Sequence, residues 1–99
     1  MNIQSTRTLQ EARTTLAPAE VIAAAKSFFS RRNAIYSAFV EREGPTWVVL
    51  RGQGGEEITI AADENTGATR VTGSTYMFDQ QVARFLSTLP PAPEAESAA

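Results

Sequence analysis

Histidine and cysteine are both missing from these 99 residues. Without histidine the chain lacks the side chain that titrates nearest neutrality. The usual general base goes with it, as does the commonest ligand for zinc, copper or haem. Without cysteine there is no disulfide, thiolate nucleophile, zinc–thiolate site or iron–sulfur cluster. Composition alone excludes most familiar catalytic and metal constellations, so the expectation is a protein that is not an enzyme and carries no cofactor. An excess of either charge is missing as well. Nine basic and eleven acidic residues leave a net charge of −2, with no strongly basic stretch to follow a phosphate backbone, so no nucleic-acid partner is expected. No apolar run approaches the roughly 20 residues of a membrane span. The first residues lack the basic start and continuous apolar stretch of a secretory signal. The expected setting is the cytoplasm.

What is present is a patterned middle between two polar ends, enough for one domain with one modest core. Residues 1–16 are polar and rich in threonine, with Ile3 and Leu9 as apolar anchors, and read as a loosely ordered N-terminal segment. Residues 17–89 carry the periodic patterns of a single α+β domain. Residues 90–99, which run Pro-Pro-Ala-Pro-Glu-Ala-Glu-Ser-Ala-Ala, bury too little apolar surface to offset their ordering entropy and read as a disordered, weakly acidic tail.

Within the middle, Pro18 suits the first position of a helix because its missing N–H would be unpaired there anyway. Glu20 follows in the first turn, where a carboxylate favours the positive helix end. No capping hydroxyl precedes it. Val21, Ile22, Ala25, Phe28 and Phe29 then form one apolar stripe at helical spacing, and Arg31, Arg32 and Asn33 suit the helix end. Three turn signals follow: Glu43-Gly44-Pro45, Gly52-Gln53-Gly54-Gly55 and Asn65-Thr66-Gly67. Short turns in succession imply an antiparallel meander, because parallel pairing needs long crossovers. The strands read as Ile35–Val40, Trp47–Arg51, Glu57–Ile60 and Thr69–Gly73. Centring the turns pairs Val40 with Val48, Ala38 with Leu50, Leu50 with Ile58 and Val48 with Ile60, and sets Arg51 opposite Glu57. A bulge at Gly67 would shift the last strand by one residue, exchanging Val71 for Arg70 and Thr72 on the core side. Ser74 or Thr75 caps a final helix with Phe78, Val82, Phe85, Leu86 and Leu89 on its stripe, stopped by Pro90-Pro91. The fold expected is α-β-β-β-β-α: a four-stranded antiparallel meander flanked by an N-terminal and a C-terminal helix, both packed on one face.

That arrangement leaves an imbalance. In the first two strands both alternating faces are apolar, and the helices cover only the one carrying Val48, Leu50, Ile58 and Ile60. The other carries Ile35, Phe39, Trp47 and Val49 with Arg51 and Thr59 around them, the make-up of aromatic anchors inside a polar rim. These six residues are the expected partner-binding surface. It would be covered by a second copy in a homodimer, by another protein to which the chain is an accessory subunit, or by residues 1–16 folding across it. The alternative function is binding of a small apolar ligand in a pocket between sheet and helices, lined by Phe28, Phe29, Tyr36, Phe78 and Phe85. Base stacking on Phe39, Trp47 and Tyr36 is a third reading, weakened by the acidic balance of the chain.

Other motifs read as ordinary structure. Arg51-Gly52-Gln53-Gly54-Gly55 lacks the Gly-Lys-Ser/Thr of a phosphate loop and joins antiparallel strands instead of opening a helix. Arg31-Arg32 decorates a helix end. Glu56-Glu57 and Asp63-Glu64 are sequence neighbours, so on a strand they point to opposite faces and form no convergent acid–base pair.

Overall fold

The computed structural model describes residues 8–31, 38–52, 57–75 and 79–92. Strand β1 (Thr8–Thr14) leads into helix α1 (Pro18–Arg31). Strands β2 (Ala38–Glu43), β3 (Trp47–Gly52), β4 (Glu57–Asn65) and β5 (Ala68–Thr75) follow as a meander, and helix α2 (Asp79–Ser87) comes last. The molecule is an α+β protein with one antiparallel sheet in the order β1-β5-β4-β3-β2. Strands β1 and β2, consecutive in the chain, lie at opposite edges, and α1 crosses between them.

Among the described residues the sheet has five strands, where the sequence pattern gives four. The addition is β1, which the sequence reading leaves within a loose N-terminal segment. Its inward residues Gln10, Ala12 and Thr14 stand opposite Gly73, Val71 and Thr69. Polar bonds anchor them. Buried Thr14 accepts the Leu16 N–H at its hydroxyl (3.2 Å), and the Thr69 hydroxyl donates to the Leu16 carbonyl (2.5 Å). The Gln10 amide donates to the Asp79 carbonyl at the start of α2 (3.0 Å). Arg13 donates to the side chain and carbonyl of Asn65 (2.9 and 3.1 Å), tying β1 to the β4–β5 turn across the intervening strand. Of the segment read from composition as a tail, residues 90–92 are described. Pro91 forms an antiparallel bridge with Thr14, and Ala92 is the last residue described.

Helix α1 opens at Pro18, and the missing capping hydroxyl is replaced from within. Glu20 accepts the Ala17 N–H (2.9 Å), which is the carboxylate half of a capping box. The stripe lies as its spacing predicts, with Val21, Ile22, Ala25 and Phe29 buried and Phe28 half-buried. In α2, Val82 and Phe85 are buried. After Ser87 the chain tightens: Thr88 and Leu89 donate to the carbonyls three residues back (2.9 and 3.2 Å), which turns Leu89 into the core. Both helices pack on the same side of the sheet, over Val48, Leu50, Ile58, Ile60, Ala62 and Val71.

The β3–β4 register is the expected one, with Val48 opposite Ile60 and Leu50 opposite Ile58. The β4–β5 turn contains no bulge. Thr66 and Gly67 both have positive φ (46° and 84°), the geometry of a two-residue hairpin turn whose twist matches the strands. Val71 therefore faces the core, and Arg70 and Thr72 face away. The β2–β3 pairing differs from expectation. Val40 lies opposite Leu50 instead of Val48, Ala38 opposite Gly52 instead of Leu50, and the register shifts between Val40 and Arg42, which makes Glu41 a bulge residue. A slip of two residues preserves the faces, so Ala38 and Val40 still point toward the helices.

Candidate functional site

The sheet face turned away from the helices is built by alternate residues, and the strand registers arrange them in rows. Phe39, Arg51 and Glu57 share one row across β2, β3 and β4. Arg42, Val49, Thr59, Ser74 and Leu9 share the next, across all five strands. Trp47, Ala61, Thr72 and Glu11 form a third, and Asp63, Arg70 and Arg13 a fourth. Of the residues expected to bind a partner, Phe39, Trp47, Val49, Arg51 and Thr59 thus fall on one face. Ile35 lies outside the described residues.

These side chains differ in what they offer. Phe39 is 55% exposed and is the apolar anchor on the β2 side. Val49 is only 5% exposed and does not belong to the core under the helices, so it supports the face from within. Trp47 is half-buried because its indole folds back over the β2–β3 turn. A Cβ placed on Gly44 would sit 2.3 Å from Trp47 Nε1 and 2.5 Å from Cε2, while the Gly44 N–H donates to the Trp47 carbonyl (2.9 Å). Only glycine lets the ring approach the turn this closely. Gly44→Ala should therefore lift the indole off the turn, giving red-shifted tryptophan emission and faster acrylamide quenching. Unchanged emission would show that the ring does not rest there. Beside Trp47 lies a depression of about 180 Å³ lined by Thr46, Ala61, Ala62, Asp63, Arg70 and Thr72 as well as the indole, with room for a single side chain.

Paired charges run along this face. Arg51 donates through Nε and Nη2 to Glu41 Oε1 (2.9 and 2.7 Å) and stands 3.7 Å from Glu57 Oε1. The sequence pairs Arg51 with Glu57; the bulge brings Glu41 closer still. The hydrogen bond that Arg51 donates to Glu41 raises the guanidinium pKa above its ordinary value; desolvation opposes this and the charges of Glu41 and Glu57 add to it. Arg51 is protonated at any biological pH in either case, so its bonds to the two carboxylates fix geometry. Thr59 donates to Glu57 (3.4 Å), and Arg70 lies 3.5 Å from Asp63.

The sequence reading missed Leu9, 69% exposed at the β1 edge of the same face. The available signal is the alternation around it. In Thr8–Thr14 the residues Leu9, Glu11 and Arg13 share one side and Gln10, Ala12 and Thr14 the other, a strand pattern without an apolar face.

On the helix side, Phe28, Phe29 and Phe85 pack against one another, with ring centroids 5.0 to 5.5 Å apart. They are three of the residues expected to line an apolar-ligand pocket; Tyr36 and Phe78 lie outside the described residues. A wider, polar depression of about 380 Å³ separates the start of α1 from the β4–β5 turn and includes Glu20 and Glu64. Glu20 is already engaged in capping. Among the described residues no group of three or more acidic side chains converges as a metal site would, and no helix is long and apolar enough to cross a membrane. No protein family, curated protein or solved structure matches this chain.

Proposed function

We propose that the chain is a cytoplasmic, non-catalytic protein-interaction module that binds through the open face of its sheet, with a second copy of itself as the first partner; as an accessory subunit of a larger assembly it would use the same face. One observation carries this reading. The two exposed large hydrophobic side chains among the described residues, Leu9 and Phe39, stand on that one face at its opposite edges. Two sheets packed face to face about a twofold axis along the strands lay each copy's β1 over the other's β2. Leu9 of one copy then meets Phe39 of its partner, twice. Between these anchors Thr59, Ala61, Thr72 and Ser74 are small enough for the sheets to approach, and the Glu41–Arg51–Glu57 and Asp63–Arg70 pairs form a polar surround. The mixed charges also speak against a nucleic-acid partner, and the mutual packing of Phe28, Phe29 and Phe85 lends the ligand-pocket alternative less support.

A chain without native cysteine makes the test direct. Leu9→Cys and Phe39→Cys chains, mixed and treated with a short bis-maleimide, should cross-link as heterodimers, while each variant alone should not. Within one chain the two positions are four strand spacings apart, about 19 Å, so an internal link is out of reach of a short reagent. Sedimentation of the unmodified chain as a monomer, with no reaction between the two variants, would remove the homodimer. A photoreactive group at position 39 that captures no more protein in cells than one at Ala23, on the exposed side of α1, would remove the reading as a whole.

A further inference from the structure

The middle strand of the sheet is β4, third in the order β1-β5-β4-β3-β2. In the homodimer proposed above, on which this inference rests, the twofold axis therefore runs along β4. Each open-face residue of that strand then meets its own copy. Thr59 on Thr59 and Ala61 on Ala61 are small enough to pack. Glu57 on Glu57 and Asp63 on Asp63, at the two ends, set carboxylate against carboxylate, which repels unless a cation lies between.

The register supplies the cations. Asp63 stands opposite Arg70 on β5, with Arg70 Nη2 3.5 Å from Asp63 Oδ2. Glu57 stands opposite Arg51 on β3, with Arg51 Nη2 3.7 Å from Glu57 Oε1. The two arginines flank β4 on opposite sides, and the twofold exchanges sides. At each end the two carboxylates on the axis are thus flanked by one guanidinium from each copy, with signs alternating around a ring of four. Packed sheets lie about 10 Å apart and neighbouring strands about 4.8 Å, so each arginine Cα is about 11 Å from the partner's carboxylate Cα, a gap the two side chains together span. The usual crossing of aligned sheets narrows it. The Ala62 N–H points to β3, where the Thr46 carbonyl accepts it (2.9 Å), so Glu57 and Asp63 turn theirs toward β5. In a chain of L-residues this fixes the hand: seen from the open face with β4 running upward, β5 lies on the right and β3 on the left. A crossing of about −30° then carries the partner's Arg70 toward Asp63 at one end and the partner's Arg51 toward Glu57 at the other. We propose that these two rings, Asp63 with Arg70 and Glu57 with Arg51, are shared between the copies and make the open face selective for a second copy of this chain.

Exchanging two charges tests the proposal at the Asp63 end. The double variant Asp63→Arg/Arg70→Asp keeps an ion pair within the chain, and two such copies again alternate in sign. Facing an unmodified chain, it sets like charge on like at both cross-copy contacts. Native mass spectrometry reads the outcome in an equilibrated equal mixture with the unmodified chain isotope-labelled. Both homodimers should appear, and mixed dimers should fall from the statistical half to below about a tenth. The single variants give a second reading that does not depend on the double variant. Asp63→Arg and Arg70→Asp should each self-associate at least about tenfold more weakly, and a mixture of the two should recover the dimer. Statistical mixing would overturn the rings and leave the homodimer standing. A double variant that stays monomeric while the unmodified chain pairs would overturn them too. An unmodified chain that is itself monomeric removes the homodimer, and this inference with it.

Discussion

Phe85→Ala is expected to cost about 3–5 kcal/mol, the range for removing a fully buried phenylalanine without filling its space. Phe85 is 0% exposed and contacts both Phe28 and Phe29, with ring centroids 5.5 and 5.4 Å away. It is where α2 meets α1 above the sheet, so the loss falls on both helices. A domain this size holds only about 5–15 kcal/mol in total, and the variant should sit near the edge of folding. Urea denaturation provides the measurement, with Arg84→Ala on the exposed side of the same helix as a control that should move by no more than about 0.5 kcal/mol. A loss below about 1 kcal/mol for Phe85→Ala would mean that the ring cluster is not the centre of the core.

Gly73→Ala is the second large effect, and it works by excess. Gly73 is a buried glycine in β5, directly beneath α2. A Cβ there would lie 2.5 Å from Val82 Cγ1 and 3.3 Å from Ile60 Cδ1. The isoleucine methyl is the far end of a side chain and can move. Val82 is β-branched, held to one rotamer by its helix, and 0% exposed, so it cannot. Either α2 lifts or the strand bends, at a cost of about 1–3 kcal/mol, despite alanine's lower backbone entropy in the unfolded chain. A double-mutant cycle isolates the cause. In a Val82→Ala background the Gly73→Ala penalty should shrink or vanish, a coupling of roughly 0.5–3 kcal/mol. An undiminished penalty would place the clash elsewhere.

The same close approach shows what the sequence makes legible. Alternation and turn chemistry are local, and where they decide the structure the reading is sound: Val48, Leu50, Ile58 and Ile60 face the helices in the expected register, and Asn65-Thr66-Gly67 folds as a tight hairpin turn. The stripes Val21–Phe29 and Val82–Leu89 locate both helices. Strand β1 is not legible in this way. Its inward residues Gln10, Ala12 and Thr14 bury little apolar surface and are held by partners distant in sequence, such as Leu16 with Thr69 and Gln10 with Asp79. Hydrophobic periodicity has nothing to register there. The β2–β3 slip has a similar origin, since Glu41-Arg42-Glu43 looks like the approach to a turn and is in fact strand carrying a bulge. For the candidate site, alternation is enough to put Phe39, Trp47, Val49, Arg51 and Thr59 on one face. It does not reveal how far each stands out. Val49 sinks into the face, Trp47 folds onto Gly44, and the second exposed anchor, Leu9, comes from the strand without an apolar signature.

The separation of β1 from β2 also sets an order of events at the ribosome. Strand β1 is translated before the meander it joins, yet its neighbour in the sheet is β5, so Thr14 waits for Thr69 and Thr8 for Thr75. The hairpins β2–β3, β3–β4 and β4–β5 can close as soon as their own residues emerge, because their partners are adjacent in the chain. Strand β1 must stay unpaired while α1 and the whole meander are made, and among the described strand pairs its pairing with β5 closes the longest loop. A nascent chain stalled before β5 therefore carries an unpartnered strand of only modest apolarity. The polar sequence that hides β1 from a hydrophobicity reading is the same one that keeps it from aggregating while it waits.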